Sequence, residues 1–304
     1  MLRKWMLKYG AQKFLSLIPF RLGWRFNHWL RRRVGGLKSQ PVYSFSSVLI
    51  MAWLLERAGF TVSGKKLVEL GTGWDSCGAL TALALGADQI DTFDQERRLD
   101  DALATIAKNL IADPHSFYKQ DNLPFEPNYD AVLRVLKPTR LSDKRLRYHA
   151  PADARSTGLG SSTVHLYYSL AVLEHIPRLV LEDIIAESFR ILVPGGYCFH
   201  YIQPTMHAAW FDHAALGIDY LRIPEFWWAA LLANPISYEN RLRAPEYKHL
   251  LLRHGFRITE EWHSVDQESL RALPSIEIAR EFRRWSDEEI ATSSVWIIGQ
   301  KPSA

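Results

Sequence analysis

Three groups of residues have types and spacings that can do chemistry. Leu67 to Gly78 reads LVELGTGWDSCG: an apolar run carries an acid, Glu69, and Gly71, Thr72 and Gly73 follow. Glycines let a backbone approach a ligand closely, and a strand, glycine turn and helix together cradle a nucleotide cofactor. Glu174 and His175 are adjacent, as are Asp212 and His213, and an imidazole is suited to moving a proton near neutral pH. Arg241 and Arg243 suit a phosphate or carboxylate, although a solvated basic face explains them as well.

Two readings of the glycine turn compete. A dinucleotide fingerprint wants G-x-G-x-x-G, but Ser76 stands at the third glycine position, with Gly78 two residues on. Glu69 would repel a pyrophosphate and suits a cationic ligand group better. The histidines show no H-x-x-x-H or C-x-x-C spacing, so no required metal is expected.

The elements that must hold these residues alternate. Strands are expected at Lys65–Glu69, Gln89–Phe93, Leu146–His149, Thr163–Ser169, Tyr197–Ile202, Phe256–Trp262 and Val295–Gly299. Helices are expected from Ser46 to Ala58, over 76–86 and 98–112, through Leu181 to Phe189 on the i, i+3, i+4, i+7 pattern, and from Pro245 to Gly255. Pro194-Gly195-Gly196 reads as a turn, and Ser286 to Glu289 as a capping box. Such alternation argues for an open α/β sheet with helices on both faces.

In this order the motifs resemble class I S-adenosylmethionine (SAM) dependent methyltransferases. VELGTG resembles their first motif. Asp94, closing the second strand, stands where that family places an acid on the ribose hydroxyls. Asp153, in APADARSTGL with Ala154, matches the acid that meets the adenine amino group. YYSLAVLEHIP, containing Ser169, Glu174 and His175, matches the fourth strand and its loop. FRILVPGGYCFHYI, YKHLLLRHGFRI and SVWIIGQKP match later elements. The resemblance covers roughly residues 45 to 302. It implies a Rossmann-like, seven-stranded, mostly parallel sheet with an antiparallel last strand. It also implies SAM as cofactor, held by Glu69, Gly71, Thr72, Gly73, Asp94, Asp153, Ala154, Ser169 and Glu174. His175 is then the candidate base for a hydroxyl acceptor, with Asp212 and His213 a second candidate pair. Gln203 to Arg243, rich in aromatics including Phe226, Trp227 and Trp228, reads as a lid and substrate insertion, about 203–245.

Composition narrows the setting. Residues 1–40 hold ten Lys or Arg and no acid, leaving 27 basic against 33 acidic residues elsewhere. The chain thus divides into a basic N-terminal arm (1–40) and a main domain (41–304). Basic residues mixed with Trp5, Phe14, Trp24, Phe26 and Trp29 suit an anionic membrane or a lipid-linked substrate. A helical arm packed on the domain, or a mitochondrial presequence, fits the same residues. Two cysteines, Cys77 and Cys198, make a disulfide framework unexpected and a reducing cytoplasm natural. No apolar run approaches the roughly 20 residues of a membrane-spanning helix. The net acidic main domain argues against a nucleic-acid track. The expected activity is methyl transfer to oxygen of a small molecule or glycan. An RNA or protein methyltransferase docking through the arm, an NAD-dependent oxidoreductase and a non-catalytic interaction module are the alternatives.

Overall fold

The computed structural model describes residues 4–17, 41–99, 105, 109, 111, 120, 123–136, 144–210 and 212–303. The arm from 18 to 40, most of the helix expected over 98–112, and Phe211 lie outside the described residues.

Seven strands form one sheet: β1 (Lys66–Leu70), β2 (Gln89–Phe93), β3 (Leu146–His149), β4 (Val164–Leu170), β5 (Leu192–Ile202), β6 (Arg257–Val265) and β7 (Thr292–Gln300). Their spatial order is β3-β2-β1-β4-β5-β7-β6. All neighbours are parallel except β7, which runs antiparallel to β5 and β6. The architecture is the one the resemblance implies. β1 and β4 lie inside the sheet with helices on both faces, which is why they read as near-continuous apolar runs.

Alternation along the strands divides the core. Leu67, Ile90, Leu166 and Phe199 face one side, under helices α2 (Pro41–Arg57) and α3 (Cys77–Ala84). Val68, Phe93, Tyr167 and Cys198 face the other, under α5 (Arg178–Ile191) and α6 (Ala244–Arg253). A short α4 (Tyr129–Leu133) lies between β2 and β3 in the chain. The two largest boundary differences from expectation are at α2 and β5. Helix α2 starts five residues before Ser46, because Pro41 suits a first helical turn, where its missing N–H costs nothing. Pro194-Gly195-Gly196 lies inside β5, where the pairing slips between Val164/Leu192 and Leu166/Tyr197. The capping box at Ser286 forms as read, with reciprocal bonds to Glu289.

A third apolar cluster lies off the sheet. Helix α1 (Lys4–Ser16) buries Trp5 and Tyr9 against Met206, Tyr220 and Trp228 of the insertion, with Leu273 and Phe282. Lys13 Nζ donates to the carbonyls of Ala229 (3.2 Å) and Ala233 (2.9 Å). The described part of the basic arm is thus packed on the insertion, with Leu7, Phe14 and Leu17 left exposed. Among the described residues, no helix is long and apolar enough to cross a membrane.

Candidate active site

The chain leaves β1 in one direction to build β2 and β3, and returns to its other side for β4 and β5. The order reverses between β1 and β4, and ligands of open α/β sheets bind beyond the carboxyl ends of the strands at such a point. Gly71 to Gly73 follow β1 there. Gly71 has φ +83, and a Cβ on it would stand 2.5 Å from Val172 Cγ2, in the loop after β4. Gly73 has φ +68, and a Cβ there would meet nothing, so the space over the turn is open.

Asp94 follows β2 and faces the same turn. Its carboxylate accepts from the N–H of Gly73 (3.3 Å) and of Glu96 (3.2 Å), and Arg98 stands 3.8 Å away. Burial raises its pKa, with Arg98 opposing. A carboxylate so fixed can still accept from a diol, because each oxygen has a second lone pair. The glycine turn and Asp94 are therefore one unit.

Glu69 is deeper. Thr92, its cross-strand neighbour, donates to Glu69 Oε2 (3.1 Å) and also meets Thr72, hydroxyl to hydroxyl. A Cβ on Gly78 would collide with Glu69 Oε1, so that glycine admits the carboxyl against α3. Burial pushes the Glu69 pKa up to about 8, against opposing bonds from Thr92 and Tyr168. Glu69 and Thr72 thus brace the turn from beneath.

The remaining expected cofactor residues divide. Asp153 follows β3, next to Asp94, whose carbonyl accepts from Ala152 N–H (2.9 Å). Its carboxylate is exposed and bidentate with Arg155, which holds its pKa below the ordinary value. Ala154 is buried in the core beside it. Ser169, at the end of β4, has its hydroxyl within 2.8 Å of His200 Nδ1 on the neighbouring strand.

Glu174 and His175 form a short helical turn four residues after β4. The end of the insertion clamps this turn. Asn240 Nδ2 donates to the carbonyls of Leu173 (2.7 Å) and Ile176 (2.9 Å), and Asn240 N–H donates to Glu174 O (2.9 Å). His175 Nδ1 lies 2.7 Å from Tyr238 O. A carbonyl can only accept, so Nδ1 carries the proton and Nε2 the lone pair. Burial lowers the His175 pKa, keeping the ring neutral. Glu174 is 3% exposed; its Oε1 accepts from Gln203 N–H (3.3 Å), and burial pushes its pKa up to about 8.

His207 joins this pair from the far side. It follows β5 by five residues, much as Glu174 follows β4, and its ring centre is 4.8 Å from that of His175. Burial, then His175, lowers its pKa well below the ordinary value. Sequence reasoning missed His207. Its place just past the carboxyl end of a central parallel strand was the available signal.

No protein-family model matches the chain, and no curated protein matches it. Among solved structures the chain is similar to a SAM-dependent methyltransferase from Mesorhizobium loti (17% identity over 82% of this chain and 96% of that one, TM-score 0.44). It is similar to one from Methanosarcina mazei (15% identity, 82% and 98%, TM-score 0.48). It is also similar to the [4+2]-cyclase SpnF (14% identity, 85% and 81%, TM-score 0.46). The strand order and the antiparallel β7 decide the architecture. The fold is a Rossmann-like, seven-stranded α/β sheet.

A cavity of about 900 Å³ is lined by Gln203, whose N–H donates to Glu174. Trp210 lines it too, and stacks on His207 with ring centres 4.3 Å apart. Tyr43 and Tyr201, hydrogen-bonded to each other, form another wall, and His263, Asp266 and Arg271 add polar groups. Tyr43 and Tyr201 were also missed by sequence reasoning.

The other expected residues have structural partners or are exposed. Asp212 Oδ2 accepts from Trp5 N–H (3.3 Å), which ties the insertion to α1, and His213 is exposed. Arg241 and Arg243 are neither solvated nor free for an acceptor. Both are buried; Arg241 donates to the carbonyls of Tyr220 and Ile223 and pairs with Glu225, and Arg243 donates to Thr292 O (2.8 Å). Of the three aromatics, Trp228 is buried, while Phe226 and Trp227 are exposed.

Proposed function

We propose that the protein transfers a methyl group from SAM to a hydroxyl of a polar small-molecule or glycan acceptor. The observation that carries this reading is the bond between Gly73 N–H and the Asp94 carboxylate at the point where the strand order reverses. Asp94 would accept from the ribose diol, and Asp153, with Ala154 beside it, would meet the adenine edge. Gly71 and Gly73 would let the backbone reach the methionine part. An ammonium brought near Glu69 would favour its ionised form and offset its burial.

Bound SAM supplies a methyl group already activated on a sulfonium. The protein's share is alignment and a sink for the acceptor's proton. As the methyl group passes from the sulfonium to the acceptor oxygen, the neutral His175 Nε2 would take the hydroxyl proton. The clamp on the 173–176 turn fixes that ring. The cavity favours a hydroxyl-bearing acceptor, because polar side chains line it and Trp210 offers a flat face for a sugar ring. Incubation with methyl-labelled SAM and a panel of sugars and glycan fragments should put label in the acceptor. Asp94→Ala should raise the KM for SAM, and absence of transfer to any hydroxyl compound, with transfer to RNA or protein instead, would replace the acceptor class.

We also propose that residues 1–40 touch an anionic membrane from the cytoplasmic side. Leu7 and Phe14 on α1 and Leu17 in the turn after it are 57%, 69% and 75% exposed, within a segment that carries ten basic residues. Co-sedimentation with phosphatidylglycerol vesicles, weakened by salt and by Phe14→Ser, would support it; equal binding to neutral vesicles would not.

A further inference from the structure

Glu174, His175 and His207 each bring one donor atom to a common point, the three atoms lying within 4.8 Å of one another. We propose that these three side chains bind a divalent transition-metal cation, of which Zn2+ and Co2+ are the probes of choice. Ligand atoms of a tetrahedral cation with bonds of ~2.1 Å lie about 3.4 Å apart. The rings and carboxyl therefore need to close by up to roughly 1.4 Å, which side-chain rotation supplies. Two imidazoles and one carboxylate suit zinc or a neighbouring first-row ion, and suit the hard cations Mg2+ and Ca2+ poorly.

Independent observations point the same way. Glu174 Oε2 and His207 Nε2 are both buried, and among the described residues neither has a hydrogen-bond partner. Buried polar atoms left unpaired are costly and rare, so these need a ligand. His175 is oriented as metal-bound histidines are, with its other nitrogen donating to a carbonyl, that of Tyr238. Glu239 lies behind the site: it is 2% exposed, and its Oε1 accepts from the backbone N–H of His207 (3.0 Å) and from Tyr9 OH (2.9 Å), which fixes the segment that carries His207.

Trp210, which stacks on His207, and Gln203, whose N–H donates to Glu174, both line the cavity. Under the methyl-transfer reading, on which only this role rests, a bound cation would occupy the His175 Nε2 lone pair, so the loaded protein would make the acceptor's hydroxyl more acidic through the cation and His175 would act as the proton acceptor only in the metal-free form. Cation binding itself does not depend on that reading.

The test uses untagged, full-length protein stripped with EDTA and dialysed. Titration with Zn2+ should show about one equivalent bound, and Co2+ should give the d–d absorption of a site with imidazole ligands. His207→Gln and Glu174→Gln should each weaken binding by about tenfold or more, with His213→Ala unchanged as control. Circular dichroism checks that each variant is folded; should one fail to fold, the other variant and the wild-type Co2+ spectrum still decide. No stoichiometric Zn2+ binding, or binding unchanged in the folded variants, overturns the proposal. SAM binding measured on the same samples fails separately if the methyltransferase reading is wrong.

Discussion

His175 Nδ1 stands 2.7 Å from the backbone oxygen of Tyr238, so a residue of the insertion sets the tautomer of a histidine in the loop after β4. The insertion is therefore part of the site and not only a cover. The proton sits on Nδ1 and the lone pair on Nε2. His175→Gln should lower kcat for methyl transfer by about 10²-fold or more with little change in the KM for SAM. A large rise in that KM with kcat intact would make His175 a cofactor contact instead.

Asn240 should matter for position and not for chemistry. Asn240→Ala leaves the Leu173 and Ile176 carbonyls without their donor, at about 1–3 kcal/mol for each buried group. Chemical denaturation should show the loss, and kcat should fall with it. Wild-type stability in that variant would contradict the clamp.

Gly71→Ala tests the close approach of the two loops. A methyl there meets Val172 Cγ2 at 2.5 Å, on a backbone with φ +83 that L residues rarely adopt. The expected costs are about 1–3 kcal/mol of stability and weakened SAM binding. Gly71→Ala with Val172→Ala should recover less than the whole effect, since the second change relieves the collision but not the backbone strain. Full recovery would show that strain contributes nothing.

Glu69 predicts a pH dependence. From pH 4.5 to about 8 the unfolded chain has lost the Glu69 proton and the folded chain has kept it. Stability therefore falls as pH rises through that window, by up to about 1.4 kcal/mol per unit. Glu69→Gln should flatten the slope measured between pH 5 and 7.5. An unchanged slope would mean that the carboxyl is ionised in the folded protein.

The fold was largely legible in the sequence because each strand carries its own signal. Gln89–Phe93 and Leu146–His149 match the observed strands to the residue, bounded by charged or irregular flanks. The glycine turn and Asp94 were legible for the same local reason, since each ends a strand. Contacts between distant segments were not. His207 meets Glu174 only because β4 and β5 are adjacent and parallel, and no spacing along the chain announces it. Tyr9 reaching Glu239, and Arg243 buried on Thr292 O, likewise come from packing of the insertion on α1 and β7. The contact of the Ser169 hydroxyl with His200 was not legible either, because the strand-end position does not show which residue of the next strand lies beside it.

The central claim is that the turn at Gly71–Gly73 with Asp94 is a SAM site. Calorimetric titration of the purified protein with SAM, S-adenosylhomocysteine and NAD, repeated on Asp94→Ala, tests it most directly. The account predicts micromolar binding of both adenosyl ligands, at least about tenfold weaker in the variant, and no binding of NAD. A folded wild-type protein that binds neither adenosyl ligand, or binds NAD in their place, would contradict it.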